Sequence, residues 1–139
     1  MEKESVIAKI KEKGMKVTPQ RLAVIDALVE NMLLHPGADL IYREAKKKTR
    51  SVSLSTVYAT LNDLSRFGII KTLEFDRMEN RFECRFEDHI NLVCKKCGRI
   101  IDYMLPISIN QSEISNFTGF SINEVRMEFY GYCQDCAGK

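Results

Sequence analysis

Nowhere in these 139 residues does an apolar run approach the roughly 18 that a membrane-spanning helix requires, which excludes a helical membrane protein. Nor does the first stretch resemble a secretion signal: residues 1–16 are charged throughout and hold no long apolar core. These two absences predict a cytoplasmic chain whose thiols stay reduced. Histidine is scarce, with only two, and the net charge is only +2. Cysteine, by contrast, occurs five times.

Four of those cysteines form two CxxC pairs, Cys94/Cys97 and Cys133/Cys136. The first lies in a dense stretch, residues 87–98, with one of the two histidines and two carboxylates. Four thiolates are the donor set of a closed tetrahedral zinc site. The two residues inside each pair make a tight turn that aims both sulfurs inward, and Gly98 lets the backbone curl back toward them. The spacing therefore predicts structural Zn2+ at Cys94, Cys97, Cys133 and Cys136. Two other readings compete. Disulfides are disfavoured in a reducing compartment. A thioredoxin-like redox pair needs one CxxC at a helix start, whereas both pairs here fall at predicted strand ends.

The length and the 45% apolar content leave room for one ordinary domain or two small ones. Charge divides unevenly along the chain. Residues 1–85 carry 16 Lys/Arg against 12 Asp/Glu, or +4, and residues 86–139 carry 5 against 7, or −2. The basic excess thus sits away from the cysteines, as suits a nucleic-acid partner. Two domains are expected, 1–85 and 86–139, with a hinge at about 84–90.

In the first part, residues 5–13 form a short amphipathic helix stopped by Gly14. Thr18 and Pro19 open a second helix with a hydroxyl cap and a proline at its first position. His35-Pro36-Gly37 breaks it, and residues 39–48 form a third helix ending in three lysines, either a solvated charge run or a phosphate contact. Ser53 caps a fourth helix over 54–67. Leu54, Val57, Leu61 and Leu64 make its buried stripe; Ser55, Ala59, Asn62 and Arg66 occupy the opposite face, flanked by Thr56 and Tyr58. Small and hydrogen-bonding side chains, with no acid before Asp63, suit entry into a major groove. Strands over 69–75 and 81–86 follow, with a turn at 76–80; Phe82, Cys84 and Phe86 share one face and Arg81, Glu83 and Arg85 the other. Cys84 reads as a small core residue. Helices followed by a hairpin make a winged helix-turn-helix. Lys16, Arg21, Arg66, Arg77 and Arg81 are candidates for phosphate contact.

The second part predicts a hairpin over 90–94 and 99–103 around the first CxxC, a helix from Pro106 to about Phe117, and a last strand over 120–132 bulged near Asn123. A three-stranded sheet in so short a segment cannot hide both faces, so this part is expected to dimerise. The fold class is α+β: an N-terminal winged helix-turn-helix DNA-binding domain and a small C-terminal α/β zinc-binding dimerisation domain.

With these pieces in place, the chain resembles the ferric uptake regulator family of metal-dependent transcription factors. The resemblance rests on Thr18-Pro19-Gln20-Arg21, His35-Pro36, Ser55-Thr56-Val57-Tyr58, the block from His89 to Cys97, Gly98-Arg99-Ile100-Ile101-Asp102, and the run from Tyr130 to Cys136. The four-cysteine site looks most like the peroxide-stress regulator branch. The resemblance implies a second, regulatory metal between the domains, held by His35, Glu83, His89 and Asp102. Two imidazoles with two carboxylates suit Fe2+, Mn2+ or Zn2+. The family usually has a further histidine where Asn91 stands, and strand alternation puts the Asn91 amide oxygen on the side of His89, as a weaker donor. Peroxide sensors of the family typically carry aspartate at the position of Glu83, so the donor set here is mixed. If Fe2+ binds, a peroxide-derived oxidant could attack the imidazole of His35 or His89.

The expected function is a homodimeric repressor of metal-uptake or peroxide-stress genes, bound to a palindromic double-stranded DNA operator and not an enzyme. Two rivals stand beside it. A zinc-containing thiol redox or metal-transfer protein would use Cys94-Lys95-Lys96-Cys97, where the lysines lower a thiol pKa, but has no need of the first half. A plain zinc-ribbon interaction module would bind no duplex.

Overall fold

A computed structural model describes residues 3–84, 89–104 and 109–138. The chain divides into two compact units, Met1–Arg85 and Phe86–Lys139. In the first, helix α1 (Lys3–Glu12) is followed by α2 (Pro19–Glu30), a 3-10 turn (Met32–Leu34), α3 (Ala38–Lys48) and α4 (Leu54–Arg66). A hairpin of β1 (Lys71–Phe75) and β2 (Met78–Glu83) completes it. The second unit holds β3 (His89–Cys94), β4 (Ile100–Met104), α5 (Gln111–Thr118) and β5 (Glu128–Gly131).

Local chemistry accounts for the helix boundaries. Thr18 accepts a hydrogen bond from the Arg21 amide and Pro19 begins α2, so two orphan N–H problems vanish at once. Ser53 accepts from the Thr56 amide at 3.1 Å and starts α4. Gly68, at φ 72, ends that helix in the left-handed conformation that glycine adopts without a Cβ clash.

The apolar stripes of α2, α3 and α4 close around one core that includes Val24, Ile25, Leu28, Ile41, Val57, Leu61 and Leu64, with Ile69, Ile70 and Phe82 from the hairpin region. The buried set on α4 corrects the expected stripe at one end. Leu54 is 41% exposed, being the first residue of the helix, and Thr60 is buried in its stead. The hairpin turn is also tighter than expected. Phe75 pairs with Met78, so only Asp76 and Arg77 form the turn, and a register shift between Leu73 and Phe75 absorbs the difference.

In the second unit β3 is the central strand, antiparallel to β4 and parallel to β5. The expected long final strand is a correction: only Glu128–Gly131 pair, against Asn91–Cys94, and residues 119–127 form no strand. Strand β3 itself runs only from His89 to Cys94, which limits how long a parallel partner can pair with it. Helix α5 starts at Gln111, capped by Asn110; the Pro106 expected before it lies outside the described residues, as do Arg85, Phe86 and most of the expected hinge. No described helix is long and apolar enough to cross a membrane.

Candidate metal centres and nucleic-acid face

Cys94 ends β3, Cys97 closes the turn after it, and Cys133 and Cys136 lie in the turn beyond β5. Strand pairing brings them together, since Cys94 stands opposite Gly131 and the Lys95 amide donates to the Gly131 carbonyl at 2.8 Å. One sulfur from each lies within 4.8 Å of the other three. Cys97 and Cys133 are 3.8 Å apart, the edge of a tetrahedron with metal–sulfur bonds of ~2.3 Å. Amides of Cys97 and Cys133, the latter 3.4 Å from Cys94 Sγ, pull the Cys94 thiol down to about 6, so it is a thiolate at neutral pH. Cys136, hydrogen-bonded to Cys133 among crowded sulfurs, is pushed up to about 12. Such a cluster cannot carry four negative charges without a cation at its centre.

The fifth cysteine, Cys84, is partly exposed, not the core residue expected.

Each unit also holds an imidazole against a carboxylate. In the first, His35 Nε2 lies 3.6 Å from Glu83 Oε2, both buried. In the second, His89 Nε2 lies 3.7 Å from Asp102 Oδ1. These separations exceed a hydrogen bond and are close to the ~3.4 Å between two donors each ~2.1 Å from one tetrahedral ion. Asn91 pairs with Asp102 across β3 and β4, and its Oδ1 is buried with no hydrogen-bond partner among the described residues. An acceptor left so costs about 1–3 kcal/mol unless something else satisfies it.

His35 reaches Glu83 from a strained backbone. At φ 48 and ψ 67 it is the one non-glycine residue at positive φ among the described residues, a conformation that costs an L-residue about 1–2 kcal/mol. The strand β2 holds it there. Phe82 donates its amide to the Pro36 carbonyl at 3.0 Å, and Gly37 bridges Arg81. Arg81 donates Nε to the His35 carbonyl and Nη2 to the Leu34 carbonyl, the latter at 3.2 Å. Half-burial pulls its guanidinium below the usual range, with Glu79 acting oppositely. A Cβ on Gly37 would run into the Glu79 carboxylate.

Arg81 was expected at phosphate, and the structure gives it this second task. Arg21 is likewise engaged, donating Nη1 to the Lys16 carbonyl. Arg66 is exposed but ion-paired with Asp63 at 2.9 Å, while Lys16 and the turn residue Arg77 are exposed. On α4, Ser55, Tyr58, Ala59 and Asn62 form an exposed face, and the Thr56 hydroxyl turns back to Ser53 Oγ at 2.9 Å. The lysines closing α3 are tied to their own surroundings: Lys46 to the Arg50 and Val52 carbonyls, Lys47 to Glu44 and Lys48 to Glu30.

The sequence profile of the Ferric uptake regulator family matches residues 12–130. The chain belongs to that family. It is 35% identical to the peroxide operon regulator of Bacillus subtilis (strain 168) over 140 aligned positions, covering 99% of this chain and 95% of the relative. Among solved structures it resembles the ferric uptake regulator Fur of Helicobacter pylori, described as having three functional metal binding sites, with TM-score 0.80 and 27% identity over 100% of this chain and 96% of that one. It also resembles the Campylobacter jejuni peroxide stress regulator, with TM-score 0.66 and 31% identity over 98% and 100%.

Proposed function

We propose that this chain is a metal-dependent DNA-binding transcriptional repressor of metal-uptake or peroxide-stress genes, working in the cytoplasm as a homodimer on a palindromic operator. One observation carries the reading: each unit holds its own buried imidazole facing a carboxylate at 3.6 or 3.7 Å, His35 with Glu83 and His89 with Asp102. Cys94, Cys97, Cys133 and Cys136 hold structural Zn2+ in the second unit. A regulatory Fe2+, Mn2+ or Zn2+ would draw His35, Glu83, His89, Asp102 and the Asn91 amide oxygen into a single coordination sphere. Because these donors belong to both units, their engagement favours one arrangement of the units over the others. Two chains so arranged present their α4 faces to successive half-sites, with Ser55, Tyr58 and Asn62 toward bases and Lys16 and Arg77 toward phosphates.

The second unit supplies the dimer surface. Ile90 and Leu92 on β3, Ile101 and Tyr103 on β4 and Phe129 on β5 share one sheet face through the pairs Ile90↔Tyr103, Leu92↔Ile101 and Leu92↔Phe129. Ile101, Tyr103 and Phe129 are exposed in the single chain. An apolar face of this kind on a small sheet calls for a partner.

Titration of an operator-containing duplex with and without Mn2+ tests the reading, and equal affinity in both would remove the switch. His89→Ala is expected to keep its zinc and fold while losing the metal dependence. Loss of zinc in that variant would refute the division into two sites. The thiol-redox or metal-transfer alternative has the depressed Cys94 thiol on its side, but the amides of Cys97 and Cys133 that depress it suit a zinc thiolate equally; one tightly held zinc per chain with no accessible thiols among the four would exclude the alternative.

A further inference from the structure

His35 arrives at Glu83 through backbone that must be held in place, and the holding contacts come from one strand. Glu79, Arg81 and Glu83 alternate along β2 and therefore share a face. That face meets the 34–37 loop at three successive points: Glu79 over Gly37, Arg81 at the Leu34 and His35 carbonyls, and Glu83 at the His35 imidazole. Of these, Arg81 alone grips the backbone of the residue at positive φ.

We propose that Arg81 is a positioning residue for His35. Its guanidinium fork clamps two consecutive carbonyls and keeps His35 in the left-handed conformation that delivers its imidazole to Glu83, so that regulatory-metal affinity depends on a side chain that touches no metal. This deepens the functional reading above and rests on His35 being a ligand. The fork is what matters. Arginine presents Nε and Nη donors in one rigid plane, and a lysine, with a single mobile ammonium, cannot span both carbonyls. Charge argues in the opposite direction. A cation beside a divalent-ion site weakens binding, so removing it would on Coulomb grounds alone tighten the ion. Weaker binding after its removal therefore reports lost geometry.

The test is Mn2+ titration calorimetry on zinc-loaded full-length protein: wild type, Arg81→Lys, Arg81→Gln and, as reference, His35→Ala. Supporting residues around a metal site typically carry a 10–100-fold effect on affinity. Arg81→Lys and Arg81→Gln are expected to weaken the regulatory Mn2+ by about tenfold or more, with zinc content and the thermal unfolding midpoint held at wild-type values. Should the glutamine variant fail to fold, the lysine variant carries the measurement. At saturating Mn2+ the duplex affinity of Arg81→Lys returns to within about threefold of wild type, because the ligands are intact. Wild-type Mn2+ affinity in the folded Arg81 variants, with a salt slope of duplex binding reduced by about 0.9 in Arg81→Gln, would make Arg81 a phosphate contact and overturn the proposal. If His35→Ala also binds Mn2+ like wild type, it is the metal reading itself that fails; if only His35→Ala is impaired, the failure belongs to Arg81 alone.

Discussion

On the metal reading proposed above, Asn91 is the weak donor of the second unit. Its amide oxygen is buried opposite Asp102 with no hydrogen-bond partner among the described residues, so it is an acceptor kept dry at a cost. An amide oxygen is a weaker donor than imidazole toward late first-row cations. Asn91→His is therefore expected to raise Zn2+ affinity at the regulatory site by about tenfold, or ~1.4 kcal/mol, with a smaller gain for Mn2+. Competitive titration of zinc-loaded protein with the two metals checks it. Asn91→Val should do the reverse to affinity while leaving the metal-free protein as stable, or up to about 1 kcal/mol more so, because an unsatisfied buried acceptor is gone. Residue-scale legibility divides along the same line of locality. The cysteine set could be read from spacing because each pair is a local turn. The grip of Arg81 on the 34–37 loop could not, since the carbonyls lie 46 and 47 positions upstream and an arginine in a hairpin beside a helix expected to enter a major groove reads first as a phosphate contact. The regular alternation of Glu79, Arg81 and Glu83 was the available signal, and it acquires meaning only once the 34–37 loop is known to lie against that strand.

At the scale of elements, α4 has a buried face and an exposed one, and the proposed reading gives recognition to the exposed face. Val57, Thr60, Leu61 and Leu64 are buried, and Ser55, Tyr58, Ala59 and Asn62 are exposed. Leu61→Ala is expected to cost about 2–5 kcal/mol in a chemical unfolding curve, through lost burial and the cavity left behind. Tyr58→Ala and Asn62→Ala should each change stability by no more than about 0.5 kcal/mol, as exposed substitutions do, yet weaken duplex binding in the presence of Mn2+. A variant that lost stability and duplex affinity in equal measure from the exposed face would show that α4 is packed on both sides. Helix α4 was readable because 3.6-residue periodicity and both caps lie within the segment itself. Strand β5 was not, because nothing in residues 120–132 says how much of β3 is available to pair. Of that segment's apolar residues ahead of β5, Phe120 remains exposed in the single chain, while Ile122, Val125 and Met127 are half-buried.

For the whole molecule, the two units differ in what keeps them folded. The first has a core of many fully buried aliphatic side chains shared by four helices and the hairpin. Among the described residues of the second, the buried apolar side chains are Val93, Cys94 and Ile100. So small a core cannot offset the conformational entropy of ordering the segment. The sulfur cluster and, in the proposed dimer, the sheet face buried between two chains must supply the rest, since metal binding to a site that does not survive unfolding is folding free energy. Stripping zinc with a strong chelator is therefore expected to dissociate the dimer and open the second unit, while α2, α3 and α4 keep slow amide exchange. Sedimentation velocity and hydrogen exchange on the same sample check both halves of the statement. The sign of the acid dependence follows from the thiols. Cys94 is held near 6, below its ordinary value, so in the metal-free unit its contribution is present above that ordinary range and is lost as pH falls through 6, and a bound cation carries the thiolate to lower pH still before protons displace it. Zinc release and dimer loss should then track one another on acidification, with the first unit's helices unaffected across the same interval. A second unit that stayed folded and dimeric without zinc would mean that the sheet face alone stabilises it.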